Sequence, residues 1–143
     1  NNPNNLFPFI SQVIVGKQSL LKIFGNDWET KDGTGVRDYI HVMDLAECHI
    51  EVLQFLMNSE PEFLNLNVGT GIGTSVLELV RTFEKINNVK IPFVFDKRRL
   101  GDASFVVADN SLLTSKLNFN HFRTIEEMCR DGWRWKQLNP EGY

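Results

Sequence analysis

Cysteine is scarce in this chain, with two in 143 residues. Neither has a second Cys or a His at metal-ligand spacing except Cys48, whose neighbour His49 would point away on a helix, so no metal centre is expected. Both thiols fall on the apolar sides of predicted helices, where they behave as small hydrophobes in a reducing, cytoplasmic setting, although a single Cys48–Cys129 bridge stays open. No apolar run approaches transmembrane length and no charged-then-apolar leader opens the chain, so neither a membrane partner nor secretion is expected. Charge of one sign is not in excess: 15 Lys and Arg against 18 Asp and Glu leave a formal charge of -3, which supplies no broad cationic field for nucleic acid. Gly-x-Ser-x-Gly, His-Glu-x-x-His and Cys-x-x-Cys are all missing, which removes the corresponding hydrolase and zinc templates. Neither tyrosine has a lysine four residues on, and His41, His49 and His121 lack a sequence-adjacent partner, so each histidine reads as structural. An initiator Met is absent too, and Asn1-Asn2-Pro3-Asn4-Asn5 reads like the middle of a protein, so a fragment is expected.

What is present suits one α/β domain, since an apolar share of 42% over this length can bury a sizeable core. Leu6, Phe9, Ile10, Val13 and Ile14 recur at helical spacing, predicting a helix over about 5–15 that Gly16 ends, with Asn5 as its cap. Leu20 to Phe24 and Arg37 to Val42 read as strands on either side of a polar loop from Gly25 to Gly35. Asp44 and Glu47 have capping-box spacing, and Leu45, Cys48, Val52, Leu53 and Leu56 predict the buried stripe of a helix reaching Asn58. Pro61 then precedes a predicted strand over Phe63 to Val68. The run from Val68 to Ser75 looks like a dinucleotide turn, but Thr74 stands where the third glycine belongs, so a structural turn is favoured. Ser75 with Glu78 and Thr124 with Glu127 cap two further helices, whose buried faces are Val76, Leu79, Val80, Phe83 and Ile86, and Ile125, Met128, Cys129, Gly132 and Trp133. Between them lie strand candidates at Pro92 to Phe95 and Val106 to Ala108, and a helix from Asp109 to about Leu117.

Two cationic constellations carry the chemistry. Arg37 stands where the Gly-rich loop becomes a strand, rigidly held yet reachable, which suits a bidentate grip on phosphate. A surface pair with Asp38 or Asp32 is the plain alternative. Asp96-Lys97-Arg98-Arg99-Leu100-Gly101-Asp102 places cations beside a Gly turn and a carboxylate, apt for the phosphate and ribose of a nucleotide. A solvated charged loop would look the same.

The segments Asn4-Asn5-Leu6-Phe7-Pro8, Ile23-Phe24-Gly25-Asn26-Asp27, Asp32 through Ala46, and Arg98-Arg99-x-Gly101-Asp102 resemble, in order, the carboxyl-terminal part of UDP-glucose 4-epimerases. The ending from Trp133-Arg134-Trp135 to Asn139-Pro140-Glu141-Gly142-Tyr143 is also similar to that family's terminus. These are extended short-chain dehydrogenase/reductases. The resemblance implies an α/β carboxyl-terminal substrate-binding part whose amino-terminal Rossmann domain, with NAD and the catalytic Ser or Thr, Tyr and Lys, is absent. The whole span 1–143 is the UDP-sugar-binding portion, with about 42–68 expected to pack on the missing sheet and a homodimeric parent. In that family a hydride leaves C4 of UDP-glucose or UDP-galactose and returns to the opposite face of a turned 4-keto sugar. None of those catalytic residues matches a position here.

Carried over by position, the resemblance implies that Asn5 contacts the diphosphate region with Leu6 beside it. Lys22, Ile23 and Phe24 face the uracil, Arg37 and Arg99 clamp the diphosphate, Tyr39 supports the nucleotide and Asp102 binds the ribose. Val106 occupies a place where a bulky tyrosine would close the pocket around the sugar C2 substituent. Its small side chain implies room for UDP-N-acetylhexosamines. A dehydratase or decarboxylase of the same group, and a non-catalytic UDP-sugar-binding module, remain the alternatives.

Overall fold

The computed structural model describes residues 5–60, 62–117 and 119–142, so the break expected at Pro61 and the terminal Tyr143 of the family-like ending lie outside the described residues. Helix α1 (Leu6–Ile14) buries Ile10 and Val13, and past its C-cap Val15 the chain turns away at Gly16, whose φ of +76° favours glycine. Asn5 takes the N-cap position with extended backbone, yet its side chain makes no cap hydrogen bond. Strand β1 (Leu21–Phe24) pairs in parallel with β4 (Phe93–Asp96), Leu21 opposite Phe93 and Phe24 opposite Asp96. A second sheet has the order β3 (Gly73–Ser75), β2 (Val36–Asp38), β5 (Phe105–Val106), antiparallel on the β3 side and parallel on the β5 side.

The core forms where α1, β1, α3 (Val76–Asn87) and α5 (Ile125–Leu138) meet. Ile10, Leu21, Ile23, Leu79, Val80, Phe83, Ile91 and Cys129 are buried there. Phe83 meets the rings of Phe7 and Trp133 edge-on at 6.3 and 6.2 Å, the favoured aromatic geometry. Two of the three expected capping boxes are formed: Ser75 Oγ accepts from Glu78 N, and Thr124 Oγ1 from Glu127 N. Asp109 accepts from the Ser111 amide at the start of α4 (Ser111–Leu117).

Three expectations are corrected. The strand expected over Arg37 to Val42 stops at Asp38, because Val42 already begins α2 (Val42–Asn58). Its N-cap is His41, whose Nδ1 accepts from Met43 N at 3.0 Å, and not Asp44. Asp44 is instead fully buried and takes the backbone N–H and guanidinium of Arg123, which also reaches Glu47 at 2.8 Å. The expected strand over 63–68 does not form, since no ladder partner lies beside it among the described residues. Conversely, the end of the run expected as a turn, Gly73–Ser75, forms β3 against β2.

Of the apolar stripe foreseen on α2, only Cys48 is buried. Ile50, Leu53, Leu56 and Met57 are exposed along the helix, and Phe63 beyond it is 87% exposed.

The Gly-rich run 68–75 is tied down by one carboxylate. Asp38 Oδ1 accepts from the Thr70 amide and hydroxyl at 3.0 and 2.7 Å, and Oδ2 from Gly71 N at 3.0 Å and Ala108 N at 3.3 Å. Gly69 lies so near that a Cβ there would meet Asp38 Oδ2 and Ala108 Cβ at 2.6 Å each. The staple therefore needs both the acid at the end of β2 and the missing side chain at 69.

Candidate functional site

A cavity of about 530 Å³ opens between the two sheets. Helix α1 contributes Leu6 and Phe9, with Asn5 at its mouth, while β1 contributes Leu21 to Phe24. Strand β2 and its flanks add Gly35, Arg37 and Tyr39, and the β4–β5 connection adds Arg99 and Asp102. Nine of the ten residues singled out from the sequence thus line one space: Asn5, Leu6, Lys22, Ile23, Phe24, Arg37, Tyr39, Arg99 and Asp102. Val106 does not. It stands next to Arg37 in the parallel β2–β5 register, half exposed.

The electrostatics single out Arg37. Three cations line the cavity against one carboxylate, Asp102. Lys22 is paired with Asp96 at 2.9 Å, and Arg99 with Asp102 through Nε at 2.9 Å and Nη2 at 3.3 Å. Arg37 makes no ion pair with any described residue; its Nη1 donates only to the Val36 carbonyl at 2.7 Å. The alternative partners are otherwise engaged: Asp38 holds the Gly-rich turn, and Asp32 accepts from Thr34 and from Ser75 Oγ. Burial pushes the Asp32 carboxyl up, but those hydrogen bonds, from Ser75 first, outweigh it and hold the group below the usual carboxylate range. A cation with only a neighbouring carbonyl for company, facing a cavity, is placed to meet an anion.

Aromatic rings complete the walls. The Arg99 guanidinium lies 4.7 Å from the Phe24 ring centroid, and Phe7 meets Tyr39 edge-on at 6.2 Å. Trp28, which sequence reasoning passed over as part of a polar loop, also lines the cavity. Its placement depends on Gly25 and Arg98, so no local pattern marks it.

Burial pushes the Tyr39 phenol up to about 12, with the Arg37 charge pulling the other way, and burial likewise pushes the Cys129 thiol up to about 12. Both values are raised above those of the unfolded chain, where the groups ionise near 10 and 9. Their contribution to stability is complete below pH 9 and is lost as pH rises through 12. Urea midpoints are expected to fall over that window, and to fall less in a Tyr39→Phe, Cys129→Ala double variant.

A family model described as GDP-mannose 4,6 dehydratase matches residues 2–132. UDP-glucose 4-epimerase 4 of Oryza sativa subsp. japonica is 52% identical over 141 residues, which are 99% of this chain and 38% of that protein. UDP-glucose 4-epimerase of Bacillus subtilis (strain 168) is 50% identical over 141 residues, 99% of this chain and 41% of that protein. The chain thus spans roughly two fifths of the length of these relatives. Among solved structures, UDP-glucose 4-epimerase from Bifidobacterium longum in complex with NAD+ and UDP has a TM-score of 0.92 at 38% identity, covering 100% of this chain and 42% of that one. The Stenotrophomonas maltophila enzyme, with bound NAD and formylated UDP-arabinopyranose, has a TM-score of 0.91 at 45% identity, covering 95% of this chain and 40% of that one. With the model matched over most of its length, the chain belongs to the GDP-mannose 4,6 dehydratase family and shares the α/β fold of the UDP-glucose 4-epimerases, to which it is similar from end to end.

Proposed function

We propose that this chain is the UDP-sugar-binding, carboxyl-terminal part of an NAD-dependent UDP-glucose/UDP-galactose 4-epimerase. The observation that carries the reading is the unpaired Arg37 facing a cavity that also holds Arg99, Asp102, Tyr39 and the strand Lys22–Phe24. Arg37 and Arg99 neutralise the diphosphate, each able to present two parallel N–H donors. Asp102 takes the ribose hydroxyls, the uracil lies along Lys22, Ile23 and Phe24, and Asn5 with Leu6 flanks the diphosphate. Tyr39 stays a neutral hydroxyl well above physiological pH, so it supports the nucleotide by hydrogen bonding and contact. Two guanidiniums anchor the nucleotide while the hexose changes face.

The Gly-rich turn offers NAD no phosphate cradle. The backbone N–H groups of the Gly-rich turn at Thr70 and Gly71, where a dinucleotide phosphate would need free donors, already donate to the Asp38 carboxylate. The chain's share of the work is therefore grip, with NAD and the catalytic Ser or Thr, Tyr and Lys supplied by the amino-terminal part of the parent. Isothermal titration of the 143-residue chain with UDP, UDP-glucose, GDP and GDP-mannose tests the reading. Binding of the UDP ligands without turnover supports it, and preferential binding of the GDP pair would favour the reaction class in the family model's description.

The exposed apolar face of α2 belongs, on this reading, against the parent's Rossmann sheet, together with about 42–68. Left uncovered, it is expected to drive concentration-dependent association of the chain, visible by sedimentation velocity. A single monomeric species across a hundredfold concentration range would contradict that. Val106 stands outside the cavity's lining, beside Arg37 in the β2–β5 register, and its small side chain would leave an N-acetyl group on the sugar room beyond the diphosphate. In the full-length parent, a Val106→Tyr variant should lose turnover of the N-acetylated sugar while keeping that of UDP-galactose.

A further inference from the structure

Trp28 lines the cavity but has no part in the grip described above. Its indole N–H donates to the Phe24 carbonyl at 3.3 Å, which stands the ring across the end of β1. Gly25 lies directly behind it with φ of +83°, and a Cβ there would sit 2.4 Å from the indole nitrogen. The ring is thus packed against backbone that cannot yield. The Arg98 guanidinium covers the ring at 4.0 Å from its centroid and is itself fixed by the Asp27 carboxylate, at 2.7 Å, and by the Asp27 carbonyl. Consecutive arginines are therefore divided: Arg99 turns to Phe24 and the cavity, while Arg98 braces Trp28 from outside.

Resting on the UDP-sugar reading of the cavity, we infer that Trp28 is a specificity-determining residue that closes the base end to purines. The indole shares the cavity wall with Lys22 to Phe24 and is bonded to the Phe24 carbonyl, so a base lying along that strand would have the ring at its end. A purine, longer by a fused imidazole ring, runs into a wall that Gly25 and Arg98 keep from moving. Discrimination of this kind works by clash against the wrong ligand, not by added affinity for the right one. It also assigns Gly25 its purpose, since any side chain there would push the indole into the space the base needs.

The test is the ratio of UDP to GDP affinity, measured by calorimetry on the full chain. The unmodified chain should favour UDP, and Trp28→Ala should narrow that preference by about tenfold or more. Trp28→Phe, which keeps a ring, should retain most of it, and Arg98→Ala, which frees the wall to move, should fall between. Circular dichroism establishes that each variant is folded; if Trp28→Ala is not, Trp28→Leu carries the same expectation. Equal affinity of the unmodified chain for UDP and GDP, or an unchanged ratio in the folded small-residue variant that still binds UDP, overturns the inference and leaves the UDP site standing. No UDP binding by the unmodified chain overturns both.

Discussion

Replacing Arg37 with alanine should weaken UDP binding by roughly ten- to a hundredfold or more, the equivalent of about 1.5–3 kcal/mol for one lost charge-assisted hydrogen bond. The fork of a guanidinium can make two such bonds to a diphosphate, so the upper end is the natural expectation. Arg37→Lys should recover part of the affinity, because it restores the charge but not the planar fork. Folding should be nearly untouched. The guanidinium makes one internal hydrogen bond, to the carbonyl of the preceding residue, and no ion pair with a described residue. Titration calorimetry paired with a thermal melt separates the two effects. Loss of affinity with an unchanged melt is the expected result, and unchanged affinity would remove Arg37 from the site. Affinity of the unmodified chain should also fall as salt is raised, since screening weakens the attraction between guanidinium and diphosphate.

Asp44→Ala should have the opposite profile, costing about 1–3 kcal/mol of stability, the range found when a hydrogen-bonded buried group is removed and its partners are left short of an acceptor. The Asp44 side chain is fully buried, and both its oxygens are engaged by Arg123, one by the backbone N–H at 2.7 Å and one by the guanidinium. Arg123 immediately precedes the cap of α5, so this pair fastens the start of α2 to the start of the last core helix. Against the total stability of a small domain, about 5–15 kcal/mol, such a loss is a large fraction. Asp44→Asn should cost less, because the amide oxygen can still accept one of the bonds. Urea denaturation measures both, and a cost within 1 kcal/mol of the unmodified chain would contradict the assignment. Hydrogen bonding from Arg123 holds the Glu47 carboxyl below its usual range. That contribution is present above the ordinary carboxylate value and lost as pH falls through the lowered one, so acid should loosen the same junction.

Where residues act on near neighbours, the chain can be read directly. Helices α1, α3 and α5 announce themselves through apolar spacing and through the reciprocal pairs Ser75–Glu78 and Thr124–Glu127, all contained within a turn or two of helix. The start of α2 is misleading for the same reason. Asp44 and Glu47 have the spacing of a local cap, yet both serve Arg123, almost eighty residues later, and the cap falls to the ring of His41. Strand β3 hides because Gly73, Thr74 and Ser75 have turn composition and pair only through β2. At the site, the motif resemblance named nine residues that share a cavity, but not what each already holds. The Arg99–Asp102 bond could have been suspected from a spacing of three. That Arg37 would be left unpaired could not, because its two nearest acids look available until Asp38 is seen stapling a distant turn and Asp32 capping the loop it belongs to.

The loop from Gly25 to Gly35 has one more consequence. Thr30 Oγ1 donates to the Thr34 carbonyl at 2.7 Å, Trp28 N to Gly33 O at 3.0 Å, and Thr34 N to Asp32 Oδ1 at 3.0 Å, while Gly33, at φ of +78°, is the only kind of residue that fits against Asn26. At its far end, Val76 N donates to the Gly35 carbonyl and Leu77 N to Thr34 Oγ1, locking the loop onto the first turn of α3. A stretch that looks floppy by composition is therefore preorganised. A ligand entering the cavity finds its wall already ordered, and the entropy of freezing a mobile loop, which discounts affinity in so many sites, is not subtracted here.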